Sequence, residues 1–184
     1  MRTIFTFDPV ERFIAGTVGG PGERTFFLQA RNGARVTSVV AEKAQVLAIA
    51  ERIALLLREL KRLDPSFRMH SGPQEPVDEL PLEQPILEEF RVGVIALTWV
   101  SDRQLISIEL QGVTPGDVDN DELLDDDDEN APDILRVVLT PAQADAFAKR
   151  SLAVVNAGRL PCPFCGLPLD PRGHLCPRAN GYRR

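Results

Sequence analysis

The residues of this chain that are best suited to chemistry lie together near its C-terminus. Cys162, Cys165 and Cys176 are its only cysteines, and His174 stands just before the last of them. In the pattern C-x2-C-x8-H-x-C, the first cysteine pair can place two thiolates on one metal ion, and the returning His and Cys can complete a tetrahedron. Four protein ligands leave no open coordination position, so the sequence predicts a structural zinc site.

Two alternatives to a metal site stay open. Cys-Pro-Phe-Cys also occurs as a redox motif, in which the first thiol sits at a helix N-terminus that lowers its pKa. Here Gly166, Leu167 and Pro168 follow the motif, which disfavours a helix start. The remaining alternative is that the thiols have no role. The odd number of cysteines argues against a disulfide scaffold and favours a reducing compartment.

The segment around these ligands is too short to form a core of its own. Residues 159–184 therefore form a zinc-knuckle module whose folding energy would come from the metal. Gly166 permits the tight backbone that such a turn needs. Basic and aromatic side chains near the ligands suit contact with nucleic acid or with a partner protein, and the candidates are Arg172, Arg178, Tyr182 and Arg183.

The elements that must position this module precede it in a body of residues 1–158. An apolar fraction of 43% in 184 residues suits one domain of ordinary size with a small appendage. The body divides into halves 1–63 and 86–158, joined by a proline-rich connector, 64–85. No apolar run is long enough for a membrane helix and no secretory signal is present, so we expect a cytoplasmic protein.

Hydrophobic periodicity predicts seven strands and two helices in the body. The strands are expected at residues 3–8, 12–18, 24–31, 34–40, 87–100, 103–111 and 133–139. The helices are expected at residues 42–63, with an apolar stripe from Val46 to Leu60, and at 141–156, with Thr140 as the N-cap. Asn32-Gly33 predicts a type I′ hairpin turn.

The order of these elements suggests an internal duplication. Strands followed by a helix occur twice, and Val39-Val40-Ala41 before the first helix aligns with Val137-Val138-Leu139 before the second. The predicted fold class is therefore α+β, with antiparallel sheet or sheets, two helices, an internal repeat and a C-terminal zinc knuckle.

The net charge of −6 is concentrated in an acidic loop, residues 117–129, which holds nine of the 27 acidic residues and no basic one. Asp117, Asp119 and Asp121 have the spacing of a calcium loop, but Glu122 stands where that loop needs glycine. Like charges repel one another, so a solvated, disordered loop is the favoured interpretation.

Several short motifs, spread along the chain, are specific enough to compare with known protein families. They are Phe7-Asp8-Pro9, Glu11-Arg12-Phe13, residues 15–19 and 22–29, and the closing run CPFCGLPLDPRGHLCPRANGYRR. On these motifs the chain resembles, over essentially its whole length, a family of uncharacterised actinobacterial proteins of about this size. The resemblance carries over no activity and no catalytic residue, but it favours metal binding by Cys162, Cys165, His174 and Cys176.

The leading functional hypothesis is a non-enzymatic cytosolic zinc-binding protein that acts as a binding or adaptor module, with a protein as its partner. The first alternative is a nucleic-acid-binding protein that uses the sheet face and the basic C-terminal tail. The second is an enzyme with its site between the two halves. No Ser-His-Asp set and no phosphate-binding glycine loop is readable, so the sequence gives no catalytic residue.

Overall fold

The computed structural model describes residues 2–20, 22–64, 67, 69, 77–113, 123–126, 128, 130–157, 162–166, 169 and 176. Within these ranges the chain forms β1 (Ile4–Phe7), β2 (Arg12–Val18), β3 (Thr25–Asn32), β4 (Arg35–Ala41), α1 (Lys43–Leu63), β5 (Glu88–Val100), β6 (Leu105–Gly112), β7 (Ile134–Leu139) and α2 (Pro141–Asn156). Every predicted strand and helix is present, because each has a strong periodicity and clear turn or capping residues at its ends.

The strands form one seven-stranded sheet in the order β1-β7-β6-β5-β4-β3-β2. The α+β class is confirmed, but the sheet is mixed rather than antiparallel throughout. β1 pairs with β7 and β4 pairs with β5 in parallel, while the other neighbours are antiparallel. The second parallel pair arises because α1 and the connector return the chain to the end of the sheet at which β4 began.

The two edge strands of this sheet are close in the chain and in space. Only residues 8–11 separate the end of β1 from the start of β2. The N–H of Val10 donates to the carbonyl of Val138 in β7 at 3.0 Å. From β4, the guanidinium of Arg35 lies 4.5 Å from the ring centre of Phe7 and donates to the carbonyl of Thr6. The sheet therefore curls until its ends meet.

Both helices pack into one core that spans the two halves. The predicted stripe of α1 is confirmed at Val46, Ile49, Ala50, Ile53 and Leu57, which are buried, while Leu56 and Leu60 are partly buried. In α2, Phe147 stacks on Phe13 of β2, with ring centres 4.5 Å apart. Fully burying such a side chain contributes about 2 kcal/mol each. The halves of the body thus share their stabilisation.

The two helices begin in the same way. In α2, the hydroxyl of Thr140 accepts from Gln143 N, and the N–H of Thr140 donates to Gln143 Oε1. In α1, the N–H of Glu42 donates to Gln45 Oε1. Gln45 then donates to the carbonyl of Val92 in β5, and Gln143 donates to that of Val10 beside β2. Each helix start is therefore tied to the other half of the body.

The β3–β4 hairpin differs from the prediction in its turn. Asn32 pairs with Arg35, so the two turn residues are Gly33 and Ala34. Gly33 has a φ of +56°, whereas Ala34 is not among the residues with positive φ. A glycine at the first central position, followed by a residue with negative φ, is the pattern of a type II′ turn. The predicted type I′ turn is therefore wrong in type, and the turn residues lie one position further along the chain than Asn32-Gly33.

Residues 77–86, which are the end of the predicted connector and the residue that follows it, pack on the outer face of β2–β4, opposite the helices. Leu82 is buried with Ile14, Phe27 and Val40. It lies so close to Gly16 that a Cβ at that glycine would come within 2.6 Å of the leucine Cγ. Beside it, the amide of buried Gln29 accepts from Glu83 N at 2.7 Å and donates to Glu83 O at 3.2 Å. We call residues 77–86 the connector segment.

The described part of the acidic loop, residues 123–126 and 128, corrects the expectation of a wholly solvated loop. Leu124 N donates to Gln111 Oε1 in β6 at 2.9 Å, and Asp126 forms an ion pair with Arg136 of β7 at 3.2 Å. Arg2 donates to the carbonyls of Leu124 and Asp125. Arg2 and Arg136 thus offset part of the repulsion between the acidic side chains, on which the expectation of a solvated loop is based. The calcium-loop positions 117–122 lie outside the described residues.

Candidate metal centre

The three cysteines lie together in the structure, as their spacing predicts. One sulfur from each lies within 4.8 Å of the others. Cys162 Sγ and Cys176 Sγ are 3.7 Å apart, and both residues are buried. A disulfide would need about 2.05 Å, so these two cysteines are not joined by a disulfide bond. Two sulfurs bound tetrahedrally to one zinc at about 2.3 Å lie about 3.7 Å apart, which matches the observed separation.

The Cys-x-x-Cys segment forms a tight turn. The N–H of Gly166 donates to the carbonyl of Cys162 at 2.8 Å, which closes the turn over residues 163–165. Gly166 has a φ of +75°, in the left-handed region that favours glycine. The role predicted for this glycine is therefore confirmed. The turn brings the thiol of Cys165 back to the same side as that of Cys162.

The electrostatics of the turn favour a thiolate. A backbone hydrogen bond from Cys165 is the largest influence and, with a second from Phe164, lowers the pKa of Cys162 to about 6. Burial acts in the opposite direction, and the neighbouring thiols of Cys165 and Cys176 lower the pKa further. The thiolate is the form that binds soft metal ions, so the turn prepares Cys162 as a ligand at neutral pH.

Other residues predicted for this region fall outside the described residues. They are His174, the expected fourth ligand, and the candidate contacts Arg172, Arg178, Tyr182 and Arg183. The described donor set is three sulfurs from two directions, a turn and the returning Cys176. Three thiols at this spacing fit a metal ion.

A second polar cluster, which the sequence does not single out, lies where α2 faces β2 and the connector segment. Arg12 of β2 and Arg150 of α2 are each 9% exposed, and Asp78 lies between them. The attraction of Arg12, first through its hydrogen bonds, lowers the pKa of Asp78. A charged residue at the start of an apolar strand, as in RFIAGTV, is the weak sequence signal for this cluster.

In the described chain, neither helix is both long and apolar enough to cross a membrane. No curated protein and no solved structure matches the sequence. A family model does match it, with the description "Protein of unknown function (DUF3090)", over residues 5–176. The match begins in β1 and ends at the last cysteine of the cluster.

Proposed function

The chain belongs to the DUF3090 family, whose description assigns no activity, and from its own residues we propose that it is a non-enzymatic, cytosolic zinc-binding protein that acts as a binding or adaptor module. The observation that carries this proposal is the cluster of three thiols, outside any disulfide, whose sulfurs lie within 4.8 Å of one another. An internal duplication of the body and an actinobacterial source stay predictions beside it.

Zinc is the proposed ion because thiolates select soft or borderline metals and tolerate tetrahedral geometry. His174 is the proposed fourth ligand. With Cys162, Cys165 and Cys176 it would close the coordination sphere and hold the returning chain against the turn. A closed site stabilises a short segment and leaves no position for a substrate, which supports a structural rather than a catalytic metal.

The adaptor role is supported by the surface that the turn presents. Phe164 stands between two of the cysteines and its side chain is 64% exposed. Exposed aromatic side chains held on a rigid turn are typical anchors for a partner protein, because they bury a large apolar area with little loss of conformational freedom. The proposed partner is therefore a protein that offers an apolar pocket to Phe164.

Metal analysis of the full chain tests the zinc site. Protein expressed with zinc available should carry about one zinc per chain, and the double variant Cys165→Ser/Cys176→Ser should carry less than about a tenth of that, since one thiolate and one imidazole are fewer ligands than a protein zinc site uses. Phe164→Ala is the matched control, because it changes the same turn and keeps all proposed ligands. Wild-type protein without zinc would overturn the proposal.

The fourth ligand is tested by chelation. His174→Ala should lose zinc to a chelator at a concentration at least about ten times lower than the wild type does, because loss of a direct bond should cost at least as much as loss of an outer-shell partner. Equal resistance to the chelator in both proteins would remove His174 from the ligand set and leave the three cysteines in place.

The adaptor role is tested by affinity capture from native cells, with wild-type protein and Phe164→Ala compared at equal zinc content. A protein that is captured by the wild type and lost from the variant supports docking at Phe164. Capture of nucleic acid with a steep salt dependence would favour the alternative function, in which Arg172, Arg178 and Arg183 contact phosphates. The covering of the outer sheet face by residues 77–86 and 123–126 argues against the sheet as that surface.

A further inference from the structure

A cavity lies beside the second polar cluster, far in the chain from the cysteines. Its volume is about 170 Å³, and β2, α2 and the connector segment form its walls. Stacked Phe13 and Phe147 supply an apolar wall, and Arg12, Arg150 and Asp78 supply a charged one. The space is large enough for several water molecules or for one small ligand.

The hydrogen bonds of Arg12 are filled by its neighbours. Its Nε and Nη2 donate to the two carboxylate oxygens of Asp78 at 2.5 and 3.0 Å, in a bidentate pair. Nη2 also donates to the carbonyls of Leu80 and Pro81, each at 3.1 Å, and Nη1 to the carboxylate of Glu83 at 3.3 Å. Arg12 thus anchors the connector segment and has its own counter-charges.

Arg150 is placed differently. Its Nε donates to the carbonyl of Ala15 at 2.7 Å, and Nη1 donates to the carbonyl of Asp78. The nearest carboxylate oxygen, Asp78 Oδ1, is 3.5 Å away and is already held by Arg12. Nη2 has no acceptor among the described residues. A guanidinium that is 9% exposed thus lines the cavity with donors to spare and no carboxylate of its own.

The charges that line the cavity are equal in number but unequally placed. Arg12 and Arg150 both face Asp78, whose carboxylate Arg12 already holds in a bidentate pair. Glu11 also lines the cavity, but its carboxylate accepts the N–H of Gly33 at 2.7 Å and so belongs to the hairpin tip. Burial lowers the pKa of Arg150, against the attraction of Asp78, as expected for a cation that lacks full compensation.

We propose that this cavity is a binding site for a small oxyanion, a carboxylate or a phosphate, whose oxygens accept from Arg150 and whose body rests against Phe13 and Phe147. An anion there would give Arg150 a negatively charged partner of its own and would accept from the donors that this always protonated guanidinium has to spare. The ligand would touch β2 and α2 together, so binding would also stabilise their packing.

The test uses the full chain as purified. Inorganic phosphate and sodium acetate are titrated separately at constant ionic strength, with sodium chloride as the reference salt. The NMR signal of the Arg150 Nε–H, which bonds to Ala15, reports on the cavity. We expect saturable shifts with phosphate or acetate and none with chloride. Equal responses to all three salts, or none to any, would overturn the proposal.

Two variants locate the site. Arg150→Gln should weaken binding of the active anion at least about tenfold, whereas Arg136→Gln, which removes an arginine from β7, should leave the affinity unchanged. Arg150→Gln also removes native hydrogen bonds, so Ala146→Leu provides a second variant that fills the cavity and keeps every charge. Undiminished anion binding by a folded Ala146→Leu protein would place the anion elsewhere and reject the site.

Discussion

Two cross-strand pairs, at positions that the predicted duplication would align, differ between the two halves of the sheet. In the register that aligns Val39 with Val137, Ser38 corresponds to Arg136, and their partners across the sheet are Gln29 and Glu109. Gln29 donates to the hydroxyl of Ser38 at 3.0 Å, whereas Arg136 forms an ion pair with Glu109. Both pairs lie under a segment without regular structure, the connector segment in one half and residues 123–126 in the other.

These two pairs show that a segment can be held against the face of the sheet in two ways. Over β2–β4 the contact around Leu82 is apolar, with the amide of Gln29 paired to the backbone of Glu83, and ion pairs of Arg12 and Arg31 flank it. Over β6–β7 the covering is ionic, with Asp126 held by Arg136. Neutral hydrogen bonds in a dry contact respond little to salt, whereas partly exposed ion pairs are screened by it. Substitutions in the two coverings should therefore lower the free energy of unfolding by different amounts and with different salt dependence.

The largest effect is expected at the buried amide. Gln29→Ala should lower the free energy of unfolding by about 3 kcal/mol, because a buried amide and its two hydrogen bonds to the backbone of Glu83 are lost. Urea denaturation measures this loss. Ser38→Ala is the matched control, since it removes the hydroxyl of the same pair and keeps both bonds to Glu83, and it should cost about 1 kcal/mol. Equal losses in the two variants would contradict the role given to the amide.

A smaller effect is expected at Asp78, the charged anchor of the connector segment. Asp78→Asn should cost about 2 kcal/mol near pH 6, because Arg12 and Arg150 lose a carboxylate that is partly exposed. Hydrogen bonds from Arg12 hold the pKa of Asp78 below its ordinary value. Its stabilisation is therefore fully present above the unfolded pKa of about 4 and is lost as the pH falls through the folded value.

Urea denaturation of the wild type and Asp78→Asn at a series of pH values checks this sign. The difference in unfolding free energy should be constant above about pH 5 and should shrink as the pH falls below about 4. A difference that stayed constant to the lowest pH would show that the shape of Asp78, rather than its charge, holds the connector segment.

The smallest effect is expected at the ionic covering. Arg136→Gln should cost about 1 kcal/mol at low salt, because the ion pairs that it removes are partly solvated. The loss should diminish as sodium chloride is added, since screening already weakens the pairs in the wild type. Unfolding of both proteins in urea at low and high salt measures this. A salt-independent loss would remove the contrast between the two coverings.

Much of the body could be predicted because its signals are local. The stripe of α1, the Thr140 cap and the turn glycines each act within a few residues of themselves. The cysteine cluster could also be predicted, since a Cys-x-x-Cys turn and a returning cysteine define a site by spacing alone. His174 remains a prediction.

The missed features depend on contacts between distant parts of the chain. Arg2 holds residues 124 and 125, and Arg150 of α2 meets Asp78 of the connector segment. Hydrophobic periodicity does not single out these residues, because the hydrogen bonds of a polar side chain can be satisfied either by water or by a distant partner. The parallel β4–β5 pair was missed for a related reason: it depends on where the helix and connector return the chain, which strand patterns do not encode.

The pairing of β1 with β7 has a consequence for the order in which the body can be completed during synthesis. Among the strands of this sheet β1 is made before the others, yet it pairs with β7, so that Ile4 meets Ile134. The edge of β1 that pairs with β7 therefore has no strand to bond to until β7 has left the ribosome. Contacts of such long sequence separation close late, after the local hairpins. A nascent chain halted before residue 134 would therefore present β1 as an open edge to chaperones and to other chains.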